Sequence, residues 1–454
     1  MLRRNIVILG IVLAMLVGAF GVSFAQDKID IPVWIAFTDY RLDWAREVAN
    51  DFNAEFPQYN LIIEGYDNYE VLFSATNLAF EQGTQPAVVQ YFEAATQDAR
   101  DANFNGVSHF KPIEQAFAGR TEINGLPIDF NDFVDAARAY YTLDGEWTSM
   151  PWNTSSAIMF VNQDMLDAAG VESVPATWQE VDAACEMILA MENAPTYCIT
   201  WPNHGWFFEQ ALGMQNADLV NNGNGREARA TETFIASDAA IAFVQWQKDL
   251  QDKGYFVYTG LQRDWGGTSN AFTSGEVALL IHSSSDTTPI TNTGREAGIN
   301  VVAANFPYNG DVGYTGNLIG GASLWLSSGL SPEVEDGALT FMLFLNNAEN
   351  AADWHKVTGY VPITNSAVAL LEEEGWFDAN PNSRVAGDQL DGSQQTTATA
   401  GAIVGAFPAI RDIVTTAIED ILVNGTDVTE ALTAAQAAAN VTLEEYNLIS
   451  APEE

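Results

Sequence analysis

Ile29-Asp30-Ile31-Pro32-Val33-Trp34-Ile35-Ala36-Phe37-Thr38 opens the folded part of the chain. Ile31, Val33 and Ile35 fall on one face at a spacing of two, which reads as a half-buried strand. Leu42, Ala45, Val48, Ala49 and Phe52 then repeat at helical spacing up to Pro57. Leu61-Ile62-Ile63 gives a second strand, Tyr69 to Gln82 a second helix closed by Gly83, and Ala87-Val88-Val89-Gln90-Tyr91 a third strand. Strand–helix–strand repetition predicts a parallel sheet covered on both faces. Ligands of such sheets sit beyond the carboxyl ends of the strands, where Tyr69 and Glu93 fall.

Composition bounds what such a fold can do. The 454 residues suffice for two or three domains, and 47% hydrophobic with 17% charged residues describes a large core. A formal charge of −42 argues against nucleic acid and anionic membrane surfaces as partners. Met1-Leu2-Arg3-Arg4, an uncharged apolar run from Ile6 to Phe24 and Ser23-Phe24-Ala25 read as a signal peptide cut after Ala25, residues 1–25. An uncleaved anchor is the other reading of that run. The protein is therefore expected outside the cytoplasm. Cys185 and Cys198 are the two cysteines. In an exported chain they are expected to form one disulfide worth roughly 3 kcal/mol, two unpaired buried thiols being the alternative.

Catalysis finds no support. His109, His204, His282 and His355 are scattered without zinc-site spacing. No P-loop or strand-linked GxGxxG occurs, and Gly223-Asn224-Gly225 lacks the acidic ladder of a calcium loop. With 60 acidic residues, carboxylate pairs arise by chance and define no glycosidase dyad. No enzyme activity, metal or cofactor is expected.

Five separated stretches carry a resemblance. They are Met150-Pro151-Trp152-Asn153-Thr154-Ser155-Ser156, Asn162-Gln163-Asp164 with Pro175-Ala176-Thr177-Trp178, Phe272-Thr273-Ser274-Gly275-Glu276, Gly320-Gly321-Ala322, and Trp354 to Thr364 around Gly359-Tyr360-Val361-Pro362. Together they resemble the solute-binding components of ABC importers, family 1, most closely the periplasmic glycerol-3-phosphate-binding subgroup. The resemblance covers essentially the whole mature chain. It implies an α/β, two-lobed periplasmic-binding-protein fold of type II, each lobe a mixed sheet flanked by helices. It places residues 26–153 plus 305–358 in lobe 1 and 154–304 plus 359–454 in lobe 2, with crossings near Thr154, Asn305 and Gly359. The Thr/Gly/Ala-rich stretch from Gly392 to Ala406 reads as a loop.

The resemblance also implies a ligand set. Tyr69 and Glu93 would meet glycerol hydroxyls. Ser155, Ser283, Gly321, Tyr360 and Arg411 would hold a phosphate, with Trp206 and, less closely matched, Trp201 as an aromatic wall. That wall does not separate glycerol phosphate from a saccharide, whereas Trp178 and Trp354 read as core. Ser283 to Asp286 looks like a capped helix start, and Arg411 follows Pro408 at another, so both could present free N–H groups to an anion. A planar guanidinium fork suits phosphate oxygens. Arg411→Ala is expected to abolish binding and leave folding intact. The partners implied are glycerol-3-phosphate, a glycerophosphodiester or a neutral mono- or oligosaccharide, together with ABC permease subunits, for a monomeric receptor. A secreted hydrolase is the alternative of another class.

Overall fold

The computed structural model describes residues 28–450. The signal-peptide expectation for residues 1–25 lies outside them. Two sheets organise the chain. The first is six-stranded, in the order Met150–Ser155, Gly320–Ser327, Val88–Phe92, Ile29–Ile35, Tyr59–Gly65, with Phe110–Lys111 also paired to Gly320–Ser327. Ile29–Ile35 runs parallel to both Tyr59–Gly65 and Val88–Phe92, as the opening stretch predicts. Gly320–Ser327 arrives from far along the chain and pairs antiparallel on both sides, so the sheet is mixed rather than parallel throughout.

Local chemistry explains these elements. Ile31, Val33 and Ile35 are buried while Pro32 and Trp34 on the other face are only partly covered. The Tyr40–Glu55 helix buries Leu42, Trp44, Ala45, Val48, Ala49 and Phe52, and Asp39 caps it by accepting from Arg41 N. Phe52 meets Phe56, Phe341 and Phe344 at ring separations of 5.0, 5.8 and 5.6 Å. Removing its ring would cost about 3–5 kcal/mol.

The second sheet orders Ile199–Thr200, Leu279–Ser283, Ala157–Asn162 and Val301–Asn305. Ala157–Asn162 is antiparallel to both of its neighbours. Ser156 alone separates the strand that ends in the first sheet from the strand that begins in the second. Its carbonyl accepts from Ser284 N at 2.9 Å and its N–H donates to Ser284 Oγ at 3.2 Å. Cys185 and Cys198 are disulfide-bonded with Cα atoms 5.3 Å apart, joining the Trp178–Leu189 helix to the start of this sheet. Thr177 caps that helix in a reciprocal box with Glu180.

The stretch from Gly392 to Ala406 is not wholly a loop. Thr396 and Thr399 close a reciprocal cap around a helical turn, Thr397–Ala400, because threonine hydroxyls satisfy the free amides that a short turn leaves open. No helix among the described residues is long and apolar enough to cross a membrane.

Candidate functional site

The two sheets frame a cavity of about 440 Å³. Tyr69, Glu93, Ser155, Ser283, Gly321, Tyr360, Arg411 and Trp206 all line it, drawn from eight separate places in the sequence. Trp201 does not. It is 2% exposed and lies in the hydrophobic core beside the second sheet, its ring 4.4 Å from Phe256 and 5.5 Å from Trp246.

Paired glycines shape one wall of the cavity, Gly321 lining it directly and Gly320 backing the lining Trp206. Gly321 has φ of +102°, and a Cβ there would fall 1.7 Å from the Asn153 carbonyl oxygen. Gly320 leaves room for the Trp206 indole, which a Cβ would approach to 2.5 Å. Glycine is needed at both positions for different reasons, one conformational and one steric. Gly359, at φ of +105°, ends the Ala348–Thr358 helix and delivers Tyr360 to the cavity. The Tyr360 ring stacks on Trp354 at 5.4 Å. Burial pushes the Tyr360 and Tyr69 phenols above their ordinary pKa, so both present neutral hydroxyls.

Hydroxyl groups contribute to the lining. Ser155 is 3% exposed and its hydroxyl has no protein partner among the described residues. Ser283 Oγ accepts from Ser285 N at 3.2 Å, capping the turn Ser284–Asp286 that leads into the Thr287–Glu296 helix. Tyr69 begins the Tyr69–Gln82 helix, capped by Asn68, and its ring stacks on Phe92 at 4.8 Å.

Arg411 sits in the first turns of the Phe407–Asn424 helix and is 4% exposed. Gly205 makes space for it, since a Cβ there would lie 2.6 Å from Arg411 Cγ. Its Nε and Nη2 donate to the two oxygens of Glu209, both at 2.7 Å, and Nη2 also donates to Glu93 Oε1 at 2.9 Å. Burial pulls the guanidinium pKa down, but Glu209 and Glu93 outweigh it and hold the group charged. Burial pushes the Glu209 carboxyl up, and Arg411 draws it back. Truncating Arg411 would strand two buried carboxylates, so the expectation that folding survives Arg411→Ala does not fit this geometry.

Several lining residues escaped the sequence reading. Arg41 pairs with its neighbour Asp39 and lies over the Phe37 ring at 4.4 Å. Arg263 bridges Glu70 at 3.4 Å and Asp412 at the cavity mouth. His204 caps the Gly205–Met214 helix, its Nδ1 accepting from Trp206 N at 3.0 Å. Burial, then Arg411 and Arg263, hold His204 well below its ordinary pKa, so it is neutral. Its accepting Nδ1 leaves the proton on Nε2. Trp265, Asp67 and Asp286 also line the cavity. No cluster of metal-ligating side chains occurs among the described residues.

The model of the family described as bacterial extracellular solute-binding protein matches residues 47–384. The chain belongs to that family. Among its curated relatives, the sn-glycerol-3-phosphate-binding periplasmic protein UgpB of Pectobacterium atrosepticum is 28% identical over 429 residues, covering 93% of each chain. The protein of the same name from Salmonella typhimurium is 29% identical over 398 residues, covering 86% of this chain and 87% of that one. UgpB from Mycobacterium tuberculosis, solved in complex with glycerophosphocholine, superposes with a TM-score of 0.73 at 23% identity, over 92% of this chain and 99% of that chain. The acarbose-binding GacH receptor of Streptomyces glaucescens superposes at 0.72 with 18% identity, over 93% of this chain and 100% of that chain. The fold is thus the two-lobed α/β architecture of extracellular solute-binding proteins, and members of this family bind substrates rather than transform them.

Proposed function

We propose that this solute-binding protein is the extracytoplasmic receptor of an ABC importer, that it takes glycerol-3-phosphate or a glycerophosphodiester between its lobes, and that it delivers the ligand to permease subunits as a monomer. One observation carries the reading. Two serines, a glycine backbone, a tyrosine and an arginine, far apart in sequence, converge on one cavity. Hydroxyl donors and a guanidinium supply charge-assisted hydrogen bonds to phosphate oxygens, while Glu93 accepts from glycerol hydroxyls. The glycerol-3-phosphate-binding relatives add weight.

The lobes in this reading are residues 26–153 plus 305–358 and residues 154–304 plus 359–454, released for transport after removal of residues 1–25. Tyr69, Glu93 and Gly321 would come from one lobe, and Ser283, Tyr360 and Arg411 from the other. Closure stabilises the ligand-bound form by the difference in affinity between open and closed states.

A neutral saccharide is the second reading, favoured by the Trp206 and Trp265 faces beside carboxylates such as Asp67. Isothermal titration with glycerol-3-phosphate, glycerophosphocholine and maltose separates the two. Heat from the phosphate ligands alone supports the proposal, and heat from maltose alone defeats it. Release of glycerol-3-phosphate from glycerophosphocholine by the purified protein would point instead to a hydrolase.

A further inference from the structure

The Arg411 guanidinium has five N–H donors, and carboxylates occupy those on Nε and Nη2. Only Nη1 has no protein acceptor among the described residues. The edge formed by Nε and Nη2, one of the two that can grip an oxyanion side-on, is closed by Glu209. The buried trio sets two acidic groups against one guanidinium, a formal charge of −1. Elsewhere in the cavity, Arg41 is bonded to Asp39 and Arg263 to Glu70 and Asp412, while Asp67 and Asp286 also face the lumen. The guanidiniums are therefore all matched or outnumbered by carboxylates.

We infer that the cavity selects a phosphodiester monoanion over a phosphomonoester dianion, and that Glu209 is the residue that sets this selectivity by holding Arg411. The inference rests on the phosphate-binding reading above and narrows it. A diester carries one charge at any pH near neutrality, whereas a monoester loses its second proton near pH ~6. The second charge would be brought beside a trio that is already negative, in an enclosed site where repulsion is weakly screened. Nη1 and the hydroxyls of Ser155 and Ser283 can satisfy the non-bridging oxygens of a monoanion without that repulsion.

Several elements pack around the trio or supply its members. Glu93 comes from the end of the Val88–Phe92 strand, His204 caps the helix that carries Glu209, and Arg263 lies at the mouth. Tyr140 donates from its hydroxyl to the Glu93 carbonyl, and burial keeps its phenol neutral. Any proton taken up by Glu209 as pH falls makes the trio less negative, which again favours the monoester.

The test is titration calorimetry of the full-length mature protein with glycerol-3-phosphate, glycerophosphoglycerol and glycerophosphocholine at about pH 8 and about pH 5.5. Both diesters should bind more tightly than the monoester at the higher pH, with affinities that hardly change with pH. Monoester affinity should rise on the order of tenfold or more on going to the lower pH, following its own protonation. Glu209→Gln should narrow the diester preference at the higher pH roughly tenfold, the scale expected for one close buried charge. Equal affinity of all three ligands at the higher pH overturns the inference. So does tight binding of glycerophosphocholine with glycerophosphoglycerol no better than the monoester, which would assign selectivity to the cationic head group. Should Glu209→Gln fail to fold, the wild-type pH series alone decides. Binding of maltose with none of the phosphate ligands removes the phosphate reading itself, and the inference with it.

Discussion

The floor and the mouth of the cavity each hold a guanidinium between two carboxylates, yet they differ in solvent. At the floor, Arg411, Glu93 and Glu209 have side chains exposed by 4%, 7% and 9%. At the mouth, the Arg263 side chain is 36% exposed and those of Glu70 and Asp412 57% and 55%. The same chemistry therefore has different consequences. A buried trio is costly to break because each remaining charge loses both its partner and water. A solvated bridge exchanges one partner for another and salt screens it.

The largest effect should follow Arg411→Ala. Phosphate-ligand binding is expected to disappear, and stability to fall by about 3–5 kcal/mol in urea unfolding. An unchanged unfolding midpoint would make the floor equivalent to the mouth. Asp98 provides an intermediate case. It lies on the Thr96–Asp101 helix and accepts from Ala406 N at 2.9 Å, just before the helix that carries Arg411. Burial pushes its carboxyl up to about 7 from an ordinary 3.8. A raised acid contributes stability that is complete below about pH 4 and lost as pH rises through 7. Thermal melts should therefore show wild type losing stability relative to Asp98→Asn across that window. Parallel curves would mean that Asp98 is ionised throughout. The smallest effect belongs to Arg263→Ala, expected within about 0.2–1 kcal/mol and reduced further by salt. A larger, salt-independent loss would show that the mouth is not solvated in the way described.

Much of this was legible in the chain because turn chemistry is local. Gly83, Thr177 and Asn68 end or begin helices where their residue types demand it. The binding set could be carried over by motif since each member sits beside a distinctive neighbour, such as Gly320 or Gly359. Trp201 fails for a local reason: it is packed beneath the second sheet against Phe256, where only Trp206 of the same segment reaches the cavity.

The floor's electrostatics were less accessible. The sequence marks Arg411 as a phosphate-holding cation, but its partners lie 202 and 318 residues away in sequence. One signal was present all the same. Glu209 is the single charge in Gly205–Met214, a helix buried along its whole length. An acid in such surroundings requires a cation, and of the three arginines that line the cavity, Arg41, Arg263 and Arg411, it is Arg411 that meets it. Arg41 gave no comparable sign, since a basic residue two places after a capping aspartate is common on any surface helix.

Ser156 has a mechanical corollary. Ser155 and Ala157 are two Cα steps apart, at most about 7 Å, so at that crossing the two sheets cannot draw apart. Whatever admits cargo must be a swing about that point, small beside the serine and growing with distance from it. Paired labels near Ser155 and Ala157 should report an almost constant separation during loading, while labels at the far rims should sweep through the full amplitude.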